Sequence, residues 1–96
     1  MVQYLVSYSI QTGKERQHEE WWRDVGRGFW QKQPGFGGLR RYSTLLGAGP
    51  DIVLEIDFAS GRDVVAALEG QEAKTILEDF EHMVEHLSTK IVIPMD

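Results

Sequence analysis

Two segments with strict two-residue alternation constrain the fold of this 96-residue chain more than any other feature. From Val2 to Ile10 and from Ile52 to Phe58, apolar residues recur at every second position. This period is typical of a β-strand that buries one face and exposes the other. Each segment is followed by a stretch with helical spacing of apolar residues, so the sequence indicates two successive strand–helix units.

Helix start signals follow both strands. Thr12 precedes an acidic residue by three positions and so does Ser60, which is the pattern of a capping box. Proline and glycine end the first helical pattern, and a glycine interrupts the second. The predicted helical ranges are 13–32, 61–69 and 71–87, with Gly70 between the last two.

Two further strands are predicted over residues 39–46 and 89–95. A tight reversal at 47–51 joins the first of them to the strand Ile52–Phe58. If this hairpin pairs symmetrically about Gly49, Arg41 lies opposite Asp57 and Ser43 lies opposite Glu55, which would place opposite charges across the strands.

The resulting order is β-α-β-β-α-β in one domain that spans residues 1–96. Right-handed crossovers make this order a ferredoxin-like α+β sandwich, in which two helices cover one face of a four-stranded antiparallel sheet. The apolar face is expected to meet the helices and comprises Tyr4, Val6, Tyr8, Ile10, Ile52, Leu54, Ile56, Phe58, Ile91 and Ile93. The opposite face is mixed and is a candidate homodimer contact: Gln3, Leu5, Ser7, Ser9, Arg41, Ser43, Val53, Glu55, Asp57, Lys90 and Val92.

Composition excludes several classes of function. The formal net charge is −5 and Arg40–Arg41 is the only basic cluster, which argues against nucleic-acid binding. The chain has no cysteine, so disulfides, thiolate metal sites and thiol catalysis are excluded. No apolar stretch is long enough to span a membrane, and the first residues lack the pattern of a signal peptide, so a cytoplasmic location is expected.

The segment from Pro34 to Ser60 resembles the middle of the dimeric α/β-barrel superfamily, in its antibiotic-biosynthesis-monooxygenase-like branch. In that branch a Pro-Gly-Phe-x-Gly motif leads into the second strand, and here the motif begins at Pro34 and ends at Gly38. An aromatic residue ends the third strand before a serine-capped helix, as Phe58 and Ser60 do here. The resemblance implies a homodimer of two sheets, formed through the mixed face, and a ligand cleft between sheet and helices.

Several activities are known in that superfamily, among them cofactor-independent oxygenation of aromatic polyketides, cyclisation, isomerisation and haem degradation. The haem-degrading members resemble this chain in layout but carry an Asn on the first strand, a Trp at the end of the third strand and a His ten residues later. Here the first strand has no Asn, with Ser7 as the nearest polar candidate, and Phe58 and Leu68 hold the positions of the Trp and the His. Without an imidazole at Leu68 haem degradation is not expected, and no cofactor is predicted.

The helix at 13–32 contains all three tryptophans. At about 100° per residue, His18, Trp22, Val25 and Phe29 form one apolar stripe suited to cover the sheet. Trp21 flanks this stripe and Trp30 lies well away from it, so the stripe leaves both tryptophans unexplained.

His18 is the candidate catalytic residue. At the start of the helix a histidine is expected to have a lowered pKa and to serve as a general base at the mouth of a cleft. The alternative is a structural histidine hydrogen-bonded to a strand end. The candidate substrate-binding residues are Tyr4, Tyr8, Trp22, Tyr42 and Phe58; the alternative is that these aromatic side chains simply fill the core.

No metal site is predicted. His82 and His86 have the spacing of two ligands on one helix, but the glutamates around them are better explained as a solvated face. Two functions of different classes stay open. One is a cofactor-independent monooxygenase, or a cyclase or isomerase, for a small apolar aromatic or carbonyl compound; the other is a non-catalytic ligand-binding or structural dimer.

Overall fold

The computed structural model describes residues 1–95 and confirms the ferredoxin-like α+β fold. The elements are β1 (Val2–Ile10), α1 (Glu15–Trp21), a π-helical segment (Trp22–Gly26), α2 (Arg27–Gln31), β2 (Phe36–Ser43), β3 (Ile52–Phe58), α3 (Gly61–Glu69), α4 (Gln71–Glu81) and β4 (Val84–Val92). The four antiparallel strands form one sheet in the order β2-β3-β1-β4, with the helices on one face. The first helical segment is continuous and consists of α1, the π-helical segment and α2.

The alternation predicted β1 and β3 with the observed bounds, and Ser60 caps α3 as expected. The backbone N–H of Asp63 donates to Ser60 Oγ at 3.3 Å, which satisfies one of the unpaired N–H groups at the helix start. Gly70 separates α3 from α4, also as predicted. The predicted capping box at Thr12 does not form. Gly13, at φ +89°, lies in a turn that is closed by a hydrogen bond from the Lys14 N–H to the carbonyl of Gln11. That turn delays the helix to Glu15.

The predicted position and register of β2 are also wrong. The Pro-Gly turn that ends the first helix, with Gly35 at φ +84°, leads directly into a strand that begins at Phe36 and ends at Ser43. The following loop is longer than expected, so Arg40 lies opposite Glu55 and Arg41 opposite Leu54. Arg41 and Ser43 therefore lie on the helix-covered face of the sheet. The prediction that both lie on the mixed face is wrong.

The end of α4 is the third difference. The helix stops at Glu81 and β4 starts at Val84, whereas a helix to residue 87 and a strand at 89–95 were predicted. Gln11, the residue after β1, accounts for the early end of α4. Its backbone N–H donates to the carbonyl of Met83 and its side-chain amide donates to the carbonyl of Val84, each at 3.0 Å, so the chain pairs with β1 from this point. Both residues are buried as their apolar character requires, but Met83 lies in the turn after α4 and Val84 begins β4.

The core lies between the helices and the two central strands β1 and β3. The inner-face residues Tyr4, Val6, Tyr8, Leu54, Ile56 and Phe58 are all buried, as predicted. Ile91 and Ile93, expected to meet the helices, are 43% and 69% exposed. Ile91 lies on the open inner face of β4, which is an edge strand, and Ile93 lies beyond the end of that strand.

The π-helical segment changes which residues of the first helix face the core. Its wider turn slows the rotation of successive side chains, so the residues after it fall out of phase with an ideal α-helix. Val25, predicted in the buried stripe, is 39% exposed, while Gly26 and Trp30 are buried together with Phe29. Trp30, which the predicted stripe leaves out, is thus part of the core.

Two helical glycines provide a matched test of this arrangement. A Cβ at Gly26 would lie 2.8 Å from a ring carbon of Trp21 and 2.9 Å from one of Trp22, whereas a Cβ at Gly28 would meet nothing within 4 Å. We expect Gly28→Ala to stabilise the protein by up to about 1 kcal/mol through helix propensity. Gly26→Ala should destabilise it by about 1–2 kcal/mol, because overpacking outweighs that gain. Urea denaturation measures both, and equal effects of the two substitutions would contradict the packing.

Candidate functional site

A cleft of about 190 Å³ opens between the helices and the sheet. The central strands form its floor, α1, α2 and α4 supply aromatic and aliphatic walls, and the uncovered inner face of β4 forms one side. The lining residues are Tyr4, Val6, Trp21, Trp30, Leu54, Leu77, Phe80, Glu81, Leu87 and Thr89.

Two backbone irregularities border this cleft. The π-helical segment lies between Trp21 and Trp30 and brings both into the lining. In β4 the pairing register with β1 shifts between Ser7 and Ser9, and His86 takes a positive φ of 56°. This bulge places Leu87 on the inner face, in the cleft wall. Irregularities of both kinds are common beside functional sites, because they re-aim side chains.

Aromatic contacts hold the walls. Trp21 stacks on Phe80 with ring centroids 5.3 Å apart and planes inclined by 28°. Trp30 lies 5.7 Å from Tyr4 and packs edge-on against Phe58 at 6.2 Å. Trp21 and Trp30 are therefore explained by the cleft, one half-buried at its wall and the other in the core beneath it.

Polar groups in the lining are few. The hydroxyls of Tyr4 and Thr89 lie on the sheet side, and Glu81 lies at the end of α4. Burial raises the pKa of Tyr4, and contact with Thr89 opposes the shift only in part. The Tyr4 hydroxyl is accordingly protonated at neutral pH and can donate a hydrogen bond.

Behind the Phe80 wall lies a hydrogen-bonded chain of four polar side chains. The Tyr8 hydroxyl lies 2.9 Å from His18 Nε2, and His18 Nδ1 lies 3.1 Å from a carboxylate oxygen of Glu19. Arg41 donates to both carboxylate oxygens of Glu19, at 2.8 and 3.1 Å, and stacks over Trp22 at 5.0 Å. Because a carboxylate only accepts, His18 Nδ1 carries the proton and Nε2 accepts from Tyr8.

The pKa shifts in this chain favour an uncharged interior. Burial lowers the pKa of His18, although the hydrogen bond and charge of Glu19 oppose the shift. Burial also raises the pKa of Tyr8, with Arg41 opposing. For Glu19, burial works toward a higher pKa, but the hydrogen bonds and charges of Arg41 and His18 outweigh it, so its pKa is lowered. At neutral pH the chain is thus neutral at Tyr8 and His18 and ionic at Glu19 and Arg41.

The lowered pKa of His18 predicts a specific pH dependence of stability. The unfolded chain, with a histidine pKa near 6.5, binds a proton at a higher pH than the folded chain does. The free energy of unfolding should therefore fall as the pH drops below about 6.5, toward the folded pKa. Urea denaturation at pH 7.5 and pH 5.5 measures this loss. His18→Gln should reduce it and His82→Gln, at an exposed position, should not; an unchanged loss in His18→Gln would contradict the assignment.

The structure separates the residues predicted to form one site. Tyr4 lines the cleft, whereas Tyr8, Trp22 and Phe58 are buried outside its lining. His18, predicted at a cleft mouth, has no exposed surface.

Tyr42 lies opposite Val53 and so on the other face of the sheet from Tyr4, because of the shifted β2 register. It borders an open groove of about 340 Å³ with Glu19, Arg41, Ser43 and Ile52.

The cleft residues that the sequence did not identify come mainly from α4 and β4. Phe80 and Leu77 had been assigned to an ordinary core stripe, and Thr89 to the start of a strand. Their position beside the cleft depends on the early end of α4 and the bulge in β4, for which the sequence carries no clear signal. The only available signal was that Trp21 and Trp30 did not fit the predicted helix stripe.

Within residues 1–95 no three His, Cys, Asp or Glu side chains are grouped to hold a metal ion. His82 and His86 do not share a helix, since α4 ends at Glu81. None of the helices in this part of the chain is long and apolar enough to cross a membrane.

Comparisons with known proteins place the fold. No protein-family model matches the chain, and no curated protein sequence is detectably similar to it. Among solved structures, a mutant of SnoaB, a cofactor-independent oxygenase from Streptomyces nogalater, is 10% identical, with a TM-score of 0.82 over 99% of this chain and 93% of that one. A DABB family protein from Mesorhizobium loti with a ferredoxin-like fold is 9% identical, with a TM-score of 0.81 over 99% and 97%.

A third structure, a provisionally assigned antibiotic biosynthesis monooxygenase from Nitrosomonas europaea, is 18% identical, with a TM-score of 0.77 over the full length of both chains. NIPSNAP family structures match over 99% of this chain as well. At these identities the likeness concerns the fold. The chain thus has the ferredoxin-like fold shared by structures assigned to the antibiotic biosynthesis monooxygenase, DABB and NIPSNAP families, which confirms the fold that the resemblance in its sequence implies.

Proposed function

We propose that this chain binds a small, flat, apolar aromatic or carbonyl compound in the cleft and oxygenates it without a cofactor. The aromatic-walled cleft of about 190 Å³ is the observation that carries the proposal. An apolar protein cavity of about 150 Å³ holds benzene, so the cleft has room for one ring, and its open side along β4 admits a second. Cofactor-independent oxygenation is supported by the shared fold with SnoaB.

The polar groups of the lining suit this reaction. A phenol or enol that loses its proton becomes electron-rich enough to react directly with dioxygen. The O–O bond then breaks: one oxygen atom replaces a ring hydrogen and becomes a carbonyl oxygen of the product, while the two protons and two electrons that the substrate gives up reduce the other oxygen atom to water. Tyr4 and Glu81 both line the cleft. In this proposal the Tyr4 hydroxyl donates a hydrogen bond to the substrate oxygen, and the Glu81 carboxylate accepts the proton.

His18 has a different place in this proposal from the one predicted for it. Both ring nitrogens are bonded, to Tyr8 and Glu19, and the ring lies outside the cleft lining. A ligand in the cleft is separated from it by the stacked pair of Trp21 and Phe80, whose rings lie 6.0 and 6.2 Å from that of His18. We assign His18 a positioning role, through which it fixes the wall of the cleft.

The proposed functional unit is a homodimer that pairs the uncovered sheet faces. That face presents apolar Leu5 and Val53 beside Arg40, which donates to Glu55 at 2.6 and 2.9 Å and to the buried Asp57 at 2.6 Å. Such a mixture is typical of protein interfaces. Light scattering at micromolar concentration should give the mass of a dimer, and Val53→Asp should give a monomer; a monomeric unsubstituted protein would refute the pairing.

Calorimetric titration with 1-naphthol tests the binding half of the proposal. Thr89→Phe should lower the affinity at least tenfold, because the added ring fills the cleft. Thr75→Phe makes the same change at an exposed position of α4, outside the cleft lining, and should leave the affinity within twofold. Absence of saturable binding to the unsubstituted protein, or equal losses in both variants, would refute a ligand site in the cleft.

An oxygen electrode tests the reaction half. Consumption of dioxygen should depend on 1-naphthol and protein without any added cofactor, and Glu81→Gln should slow it more than it weakens binding. If 1-naphthol and related phenols bind but no oxygen is consumed, the oxygenase proposal is refuted and the protein is a binding protein.

A further inference from the structure

The indole N–H of Trp21 is an unusual feature of the cleft wall. Its Nε1 atom is buried and forms no hydrogen bond with any residue among 1–95. Among the side chains described, it is the one buried polar atom without a partner. The ring itself is half-buried and lines the cleft.

The ring of Trp21 packs through contacts that do not use its N–H. One face stacks on Phe80, and the ring edge fits against Gly26, where a Cβ would approach to 2.8 Å. Phenylalanine could make the same stack without burying an unpaired donor. Since orphaned buried donors are costly and rare in native proteins, an indole at this position calls for an acceptor that binds in the cleft.

The cleft already offers hydroxyl groups from the sheet side, on Tyr4 and Thr89. Trp21 comes from α1, so its N–H would add a donor from the opposite wall. A flat ring held between the two walls could be oriented by an oxygen that takes this bond. Because the nitrogen is buried, the bond requires the half-buried indole to turn toward the cleft as the ring enters.

We propose that Trp21 is a specificity-determining residue, whose indole N–H donates to a carbonyl or phenolate oxygen of the ligand and so selects oxygenated rings over hydrocarbons. This inference rests on the proposed function, since it concerns the same cleft. It predicts discrimination between two ligands of the same shape, one with an acceptor oxygen and one without.

Calorimetric titrations with 1,4-naphthoquinone and naphthalene test the inference. Trp21→Phe keeps an aromatic ring but removes the donor, so it should weaken naphthoquinone binding about three- to tenfold and change naphthalene binding by less than twofold. Leu77→Ala is the control, since it alters the cleft wall without removing a hydrogen-bond donor. It should change the affinity for both ligands by the same factor.

Proton NMR distinguishes a hydrogen bond from a purely structural role of Trp21, because the chemical shift of its indole N–H responds to an acceptor. The indole N–H signal of Trp21 should shift downfield with naphthoquinone and not with naphthalene. Equal losses of affinity for both ligands in Trp21→Phe, without that shift, would overturn the role of Trp21 while leaving the cleft as a site. Absence of binding of both ligands to the unsubstituted protein would overturn the proposed function and this inference with it.

Discussion

Phe80→Ala should lower the free energy of unfolding by about 3–5 kcal/mol, the usual cost of truncating a buried phenylalanine. Phe80 is buried at the centre of the aromatic cluster. Its ring packs edge-on against Tyr8 at 4.8 Å and stacks on Trp21 at 5.3 Å, so it supports both the core and the cleft wall. For a domain of this size the loss is a large share of the total stability.

Urea denaturation of the unsubstituted protein and the variant measures this loss. Phe80→Leu should cost less, because the aliphatic side chain fills part of the same space. Leu45→Ala is a control in the loop between β2 and β3, where the side chain is 99% exposed, and it should change stability by no more than about 0.5 kcal/mol. A loss below about 1 kcal/mol in Phe80→Ala would mean that the ring is not packed as described.

His18→Ala should destabilise the protein by about 3 kcal/mol. The substitution removes a fully buried ring and leaves the hydroxyl of Tyr8 buried without its partner. The unpaired hydroxyl alone is expected to cost about 1–3 kcal/mol, and the cavity left by the ring adds to it. Loss of activity in this variant would accordingly not identify His18 as a base, because the cleft wall loses its support.

A double-mutant cycle with Tyr8→Phe separates these contributions. Tyr8→Phe removes the hydroxyl that His18 accepts from, so the effects of the two substitutions should not add. We expect a coupling free energy of about 0.5–3 kcal/mol between them. Strict additivity would show that the 2.9 Å contact between Tyr8 and His18 does not stabilise the fold.

The sequence was most informative where a short-range signal decides the structure. Alternation fixed the bounds of β1 and β3, and Ser60 fixed the start of α3, because each depends on neighbours within a few residues. The β2 register depends on the length of the following loop and on the turn at Gly35. A hairpin assumed to be symmetric about Gly49 takes account of neither. One shifted register was enough to exchange the faces of Arg41 and Tyr42.

The candidate site was harder to predict, since it depends on departures from ideal geometry. An ideal helix places Val25 in the core and Trp30 outside it; the π-helical segment reverses both. The burial of His18 follows from partners in other elements, Tyr8 on β1 and Arg41 on β2 through Glu19. Such long-range contacts leave no periodic trace in the sequence.

The most direct test of a ligand site between helix and sheet is a titration of isotope-labelled protein with 1-naphthol, followed by two-dimensional NMR. We predict that the largest amide shifts fall on Leu77, Phe80, Leu87 and Thr89, together with the indole N–H of Trp21. Shifts concentrated at Glu19, Arg41 and Ser43, in the groove at the other end of the sheet, or no shifts at millimolar naphthol, would contradict it.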